Sequence, residues 1–265
     1  MELAPGWLVM CLNVVDIQRA LEFYEKLDFT VVGGNQAIGW AALQHPSCEL
    51  HLFQGHIDRN LLNFRGGDVP AIAARLRQHG IEPVSGVQHE PDGSTGATYF
   101  DPDGVPTYFN TFPEEAERFK AGKPTSVQGA EQTLKADALV LGNFSYCLKC
   151  ADVEQTASFY EKLGLRRDGG DEDRNWVLLT VSGLAVESAN GLLPPRLSLH
   201  QRDIDRNMLS FRGGDVHALA AALAGRGVYQ ARQPYTDSEG GENLFVSDPD
   251  GNIIHFVTLP HERLV

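Results

Sequence analysis

Basic residues are in deficit: 22 Lys and Arg stand against 35 Asp and Glu, a net charge of −13. A polyphosphate backbone is therefore excluded as a main partner, because binding one rests on neutralising phosphates with cations. Cysteine is scarce, four in 265 residues (Cys11, Cys48, Cys147 and Cys150), which excludes a disulfide scaffold and fits a reducing cytoplasm. No apolar run approaches the roughly 20 residues of a membrane span. The stretch from Trp7 to Leu12 lacks the basic flank and length of a secretion signal. Also missing are a Gly-x-Ser-x-Gly elbow, a phosphate-binding glycine loop and a dinucleotide fingerprint; Arg65-Gly66-Gly67-Asp68 lacks their spacing and reads as a turn. What is present is an average globular composition, 42% hydrophobic and 22% charged, with enough chain for one large domain or two small ones.

The chain repeats itself. Phe23-Tyr24-Glu25-Lys26-Leu27 returns 136 residues on as Phe159-Tyr160-Glu161-Lys162-Leu163, and Phe64-Arg65-Gly66-Gly67-Asp68-Val69 returns 147 residues on as Phe211-Arg212-Gly213-Gly214-Asp215-Val216. Asp101-Pro102-Asp103-Gly104 and Asp248-Pro249-Asp250-Gly251 keep the longer offset, so the second copy carries an 11-residue insertion, placed at residues 182–195, which are rich in Gly, Ser and Pro. Residues 1–113 and 139–265 read as two domains, and 114–138 as a linker with a helix-permissive start.

Periodicity orders the elements within each copy. Trp7 to Val14 alternates as a strand. Asp16 then caps a helix with apolar Ile17, Ala20, Leu21, Tyr24 and Leu27, a design repeated behind Asp152. Three short strands follow, near 30–33, 38–43 and 49–53. A second strand leads through the Gly-Gly turn into a helix capped by Asp68, and three more strands complete the copy, the last two joined by Asp-Pro-Asp-Gly. Each copy is βαβββ twice over.

That order, with a Val-x-Asp helix start, a Phe-Tyr pair and a late Asp-Pro-Asp-Gly hairpin, resembles the vicinal oxygen chelate superfamily of glyoxalases, extradiol dioxygenases and bleomycin-resistance proteins. The resemblance implies an α+β fold of four βαβββ modules, with curled mixed sheets around a cavity and helices outside. It also implies metal ligands on the first, fourth, fifth and eighth strands, usually His, Glu, His and Glu. Carried over, these positions fall on Val9 and Ser145, His51 and Ser198, Leu61 and Met208, and Tyr108 and His255. Only His51 and His255 are good ligands there. A catalytic divalent ion needs about three protein ligands. If modules pair across copies, His51 and His255 meet, with Glu49 as a third candidate.

Alternation predicts a cavity wall of Val9, Cys11, Asn13, Trp40, His51, Phe53, Leu61, Asn63 and Tyr108 in copy one. Copy two supplies Ser145, Cys147, Lys149, Trp176, Ser198, His200, Met208, Ser210 and His255. Arg65 and Arg212 point to the cavity rim, where they hold either a ligand carboxylate or a neighbouring acid. Cys147 and Cys150, three apart on a strand, diverge and read as buried packing. Asp58-Arg59-Asn60 reads as loop fixation. Such a wall suits a flat organic molecule, stacked on Trp40 or Trp176 and oriented by His, Asn or Tyr.

The preferred expectation is a metal-free protein that binds a small aromatic or cationic ligand, a natural product or drug, and sequesters it, as the bleomycin-resistance branch does, in a monomer or homodimer. The alternatives are a metal-dependent lyase, isomerase or dioxygenase, and an acid–base enzyme using His255 or Tyr108.

Overall fold

In the computed structural model, which describes residues 4–123, 126–128, 138–171, 173, 175–181 and 193–262, copy one opens with β1 (Gly6–Asn13), α1 (Ile17–Glu25), β2 (Thr30–Asn35), β3 (Trp40–His45) and β4 (Cys48–Phe53). It continues with β5 (Leu61–Gly66), α2 (Val69–Gln78), β6 (Gln88–His89), β7 (Thr95–Phe100), β8 (Pro106–Thr111) and α3 (Pro113–Lys120). Copy two has β9 (Gly142–Lys149), α4 (Val153–Lys162), β10 (Leu165–Asp171), β11 (Trp176–Val181) and β12 (Arg196–His200). It ends with β13 (Met208–Gly213), α5 (Val216–Gly225), β14 (Tyr235–Thr236), β15 (Glu242–Ser247) and β16 (Ile253–Thr258). Ile38, expected to open the third strand, lies instead in a 3₁₀ turn that Asn35 caps and Gly39 ends at φ +83°. Most of the proposed insertion, residues 182–192, lies outside the described residues, as does much of the proposed linker.

The capping reading holds in atomic detail. Asp16 accepts hydrogen bonds from the backbone N–H groups of Gln18 and Arg19, and Asp152 from those of Glu154 and Gln155. Asp68 and Asp215 cap α2 and α5. Gly66 takes φ +86°, and a Cβ there would strike the Trp7 ring at 2.7 Å, so the Gly-Gly turn is a steric requirement.

Strands form two eight-stranded mixed sheets, in the order β2-β3-β4-β1-β5-β8-β7-β6 and its exact counterpart β10-β11-β12-β9-β13-β16-β15-β14. Modules therefore pair within a copy, through antiparallel β1–β5 and β9–β13. This corrects the cross-copy arrangement: the β4–β5 connection is short, so β5 lies beside β1 of its own copy before a distant segment can. One hydrophobic cluster nevertheless runs through both copies, from Leu8 to Phe256. Among the described residues no helix is long and apolar enough to cross a membrane.

Candidate functional site

Strand alternation sends every second side chain to one face, and in the second sheet that face encloses a cavity of about 1360 Å³. Asp168 and Trp176 at one end of the sheet and Tyr235 at the other line the same space, so the sheet wraps around it. All the copy-two positions expected from alternation line it: Ser145, Cys147, Lys149, Trp176, Ser198, His200, Met208, Ser210 and His255. Arg212 does too. Every described lining residue of this cavity comes from copy two.

Register defines the floor. Arg196 on β12 lies beside Ser145 on β9, Ser145 faces Ser210 on β13, and Ser210 lies beside His255 on β16. A metal ion reached from neighbouring strands needs its ligands in one such row. The row moves the fifth-strand position from Met208 to Ser210 and the fourth-strand position from Ser198 to Arg196. In copy one the same row holds Val9, Asn63 and Tyr108. Glu49, next to Leu50, the partner of Met10, falls on the fourth strand there. The two-residue displacement arises because spacing from a capping Asp or core Phe fixes the face of a strand and not its alignment with a neighbour.

His51 and His255 stand in different sheets, so the composite metal site does not form. Among the described residues no group of three or more His, Cys, Asp or Glu could hold a metal ion. The floor of copy two offers two hydroxyls, a guanidinium and one imidazole, which does not fit a divalent ion.

His255 is locked from two sides. Asn243 Nδ2 donates to Asp237 Oδ2 at 3.0 Å and to the Gly241 carbonyl at 2.8 Å, so its Oδ1 accepts from His255 Nε2 at 2.9 Å. Nδ1 is left as an acceptor. Phe245 stacks on the ring at 4.2 Å. Burial, with the Arg212 and His200 charges, lowers the His255 pKa to about 4 and holds it neutral. His200 accepts from or donates to Ser198 Oγ at 2.7 Å, stacks on Trp176, and is also pushed down by burial. Asp203 lies 3.8 Å from its Nδ1, beyond hydrogen-bond range.

The arginines meet acids of their own chain. Arg65 Nε donates to Glu115 Oε1 at 3.1 Å and Arg212 Nη2 to Glu262 Oε1 at 2.6 Å. Cys147 and Cys150 are buried free thiols, both pushed up to about 12 by burial. Asn60 Oδ1 accepts from the Asn13 N–H and Asn207 Oδ1 from the Lys149 N–H, so those loop residues fix strand ends.

The cup of copy one differs. Asn13, Trp40, His51, Phe53, Asn63, Arg65 and Tyr108 share its face, but the chain itself covers part of that face. α3 packs on β5, Phe119 meets the Trp7 ring edge-on at 5.0 Å, and the Ser126 N–H donates to Glu49 Oε2 at 3.1 Å. Glu49 Oε1 lies 2.8 Å from His51 Nε2. Sequence reasoning missed this cover because Phe119 and Ser126 belong to no alternating strand. It also missed Arg196, although Arg196 precedes Ser198 by two on the same strand and alternation would have found it.

A βαβββ pair closed into one curled sheet, repeated in tandem, defines the vicinal oxygen chelate class of fold. Residues 6–109 match the sequence profile of the Glyoxalase/Bleomycin resistance protein/Dioxygenase superfamily, and the second copy repeats their strand order. Among solved structures it is similar to a Mn(II)-bound glyoxalase from Novosphingobium aromaticivorans (TM-score 0.61, 15% identity, covering 97% of this chain and 83% of that one). It is also similar to a catechol 2,3-dioxygenase (TM-score 0.58, 15% identity, 98% and 89% covered). A variant of homoprotocatechuate 2,3-dioxygenase from B. fuscum, in complex with HPCA, gives TM-score 0.58 at 17% identity, with 97% and 71% covered. At such identities these likenesses concern the fold. No curated protein matches the sequence.

Proposed function

We propose that the protein binds a small aromatic organic molecule in the cup of copy two, without a metal ion, and acts by holding it. The observation that carries this reading is the Arg196–Ser145–Ser210–His255 row beneath a 1360 Å³ cavity: a polar, hydrogen-bonding floor in place of a ligand set. A cavity of that size, walled by Trp176, Phe245, Met208 and Leu178, has the mixed character of an organic-ligand site. The metal-dependent alternative has the fold of its relatives in its favour but not the donor atoms. Proton transfer by His255 or Tyr108 is the weaker reading, since burial lowers the imidazole and raises the phenol away from neutrality. The test is incubation with a library of aromatic compounds, followed by mass spectrometry of what is retained. Retention of an unchanged molecule is expected; a chemically altered one would overturn the reading in favour of catalysis.

A further inference from the structure

The floor of the copy-two cup carries a charge that its own chain only partly answers. The Arg196 side chain is 11% exposed, its Nε is buried with no hydrogen-bond partner among the described residues, and the Asp168 carboxylate stands 3.5 Å from Nη1 on a side chain 47% exposed. Beside it in the row, Ser145 Oγ is buried and also has no partner among the described residues. Arg212 lies two residues beyond Ser210 on the same strand face, and of its donors one is engaged, by Glu262. Burying a guanidinium without full hydrogen bonding is costly unless an acceptor arrives.

Copy one shows the same position with the opposite sign and no such need. Its counterpart, Glu49, lies 147 residues earlier and receives the N–H and hydroxyl of Ser126 and the imidazole of His51. There the chain supplies the complement. Among the described residues of copy two, the corresponding space is cavity.

We propose that this floor is an anion subsite that takes the carboxylate of an aromatic acid between Arg196 and Arg212, with Ser145 Oγ as a further donor. Guanidinium forks match a carboxylate in two parallel hydrogen bonds. The ring of the same ligand lies toward the Phe245–His255 stack, and His255 Nδ1 accepts from a ring hydroxyl. This inference deepens the proposed function and rests on it. It runs against the net charge of −13 and the acidic rim of Asp203, Asp205, Asp237 and Glu239, which would favour a cation at long range. Rim carboxylates are screened by solvent and salt, whereas Arg196, with its side chain 11% exposed, is screened far less.

The deciding measurement is calorimetric titration with three probes on one ring, 2-naphthoate, 2-naphthamide and 2-naphthylmethylammonium, against the full chain and its Arg196→Gln, Arg212→Gln and Asp168→Asn variants. The wild type is expected to hold the naphthoate roughly tenfold tighter than the amide. Each arginine variant loses that margin, and an unchanged melting temperature shows that it has folded. Asp168→Asn, which removes a competing carboxylate, tightens the naphthoate. Equal binding of naphthoate and amide, or tightest binding of the ammonium probe, overturns the anion subsite and leaves the aromatic pocket standing. Failure of all three to bind overturns both.

Discussion

The Tyr24 hydroxyl donates to Asp248 Oδ2 at 3.0 Å across 224 residues of sequence. Its repeat does the reverse: Tyr160 donates to Asp101 Oδ2 at 2.9 Å. The Phe-Tyr helix and the Asp-Pro-Asp-Gly turn are thus the two halves of one interdomain lock, used twice. The second Asp of each turn adds to it, Asp103 accepting from the Ala151 N–H and Thr156, and Asp250 from the Val15 N–H.

Removing one hydroxyl leaves a buried carboxylate short of a donor. Tyr24→Phe and Tyr160→Phe should each cost about 1–3 kcal/mol, measured as a shift in the urea midpoint. Because the two locks join the same pair of sheets, the double variant should lose more than either single one. A double variant with wild-type stability would show that the lock contributes nothing.

The lock is asymmetric at one atom. Asp103 Oδ2 accepts from Thr156, whereas Asp250 Oδ2 is buried with no hydrogen-bond partner among the described residues, because the residue matching Thr156 in copy one is Ala20. Ala20→Thr should supply the donor. A helix-propensity loss of up to about 0.7 kcal/mol opposes a hydrogen bond to a charged acceptor of roughly 1.5–3 kcal/mol, so a net gain near 1 kcal/mol is expected. A lower melting temperature would mean that α1 cannot accommodate the branched side chain against the neighbouring turn.

Acid should loosen the fold through buried imidazoles. His45 is 1% exposed, held by Leu139 O and Ser47, and burial lowers its pKa to about 4 from 6.5. The unfolded chain therefore binds a proton first, and stability present above pH 6.5 is lost as pH falls toward 4, by at most roughly 3 kcal/mol from His45. His255 titrates in the same direction. Asp101 and Asp248, raised chiefly by burial, work the other way: their contribution is fullest at acid pH and declines as pH rises above the ordinary carboxylate range. Urea unfolding between pH 7 and 5 should show a falling midpoint, with a shallower slope in His45→Gln. An unchanged slope in that variant would assign the acid sensitivity elsewhere.

The tandem fold and the wall of the second cup were legible because both rest on local patterns. The Phe23-Tyr24 and Asp101-Pro102-Asp103-Gly104 repeats fix two copies, and alternation alone places Ser145, Ser210 and His255 on one face. Periodicity did not say which strands pair, since β5 carries the same pattern whether it meets β1 or β9; the short β4–β5 connection carries that information instead. The inequality of the two cups was not legible. Arg196 and Glu49 occupy one position of the repeat, but whether a buried charge faces a cavity or a neighbouring Ser126 depends on chain that crosses over the sheet, and no strand periodicity reports it.

The row also predicts what the cup needs in order to hold a metal ion. Ser145, Ser210 and His255 lie on neighbouring strands in the order β9, β13, β16, and such strands are about 4.8 Å apart. Two imidazoles and one carboxylate projecting from adjacent positions match the three-ligand face that binds iron(II) or manganese(II). Wild-type protein purified without chelators or a His tag should contain no stoichiometric transition metal, and its melting temperature should not rise with added manganese, iron(II), zinc or nickel. The triple variant Ser145→His, Ser210→His, His255→Glu should bind about one ion per chain and melt higher in its presence, since a ligand that binds only the folded state stabilises it by mass action. Arg196 opposes that gain with its positive charge, so adding Arg196→Gln should strengthen it. A stoichiometric ion in the wild type would instead mean that the cup recruits metal through groups other than this row, and the reading of its floor as an organic-ligand surface would fall.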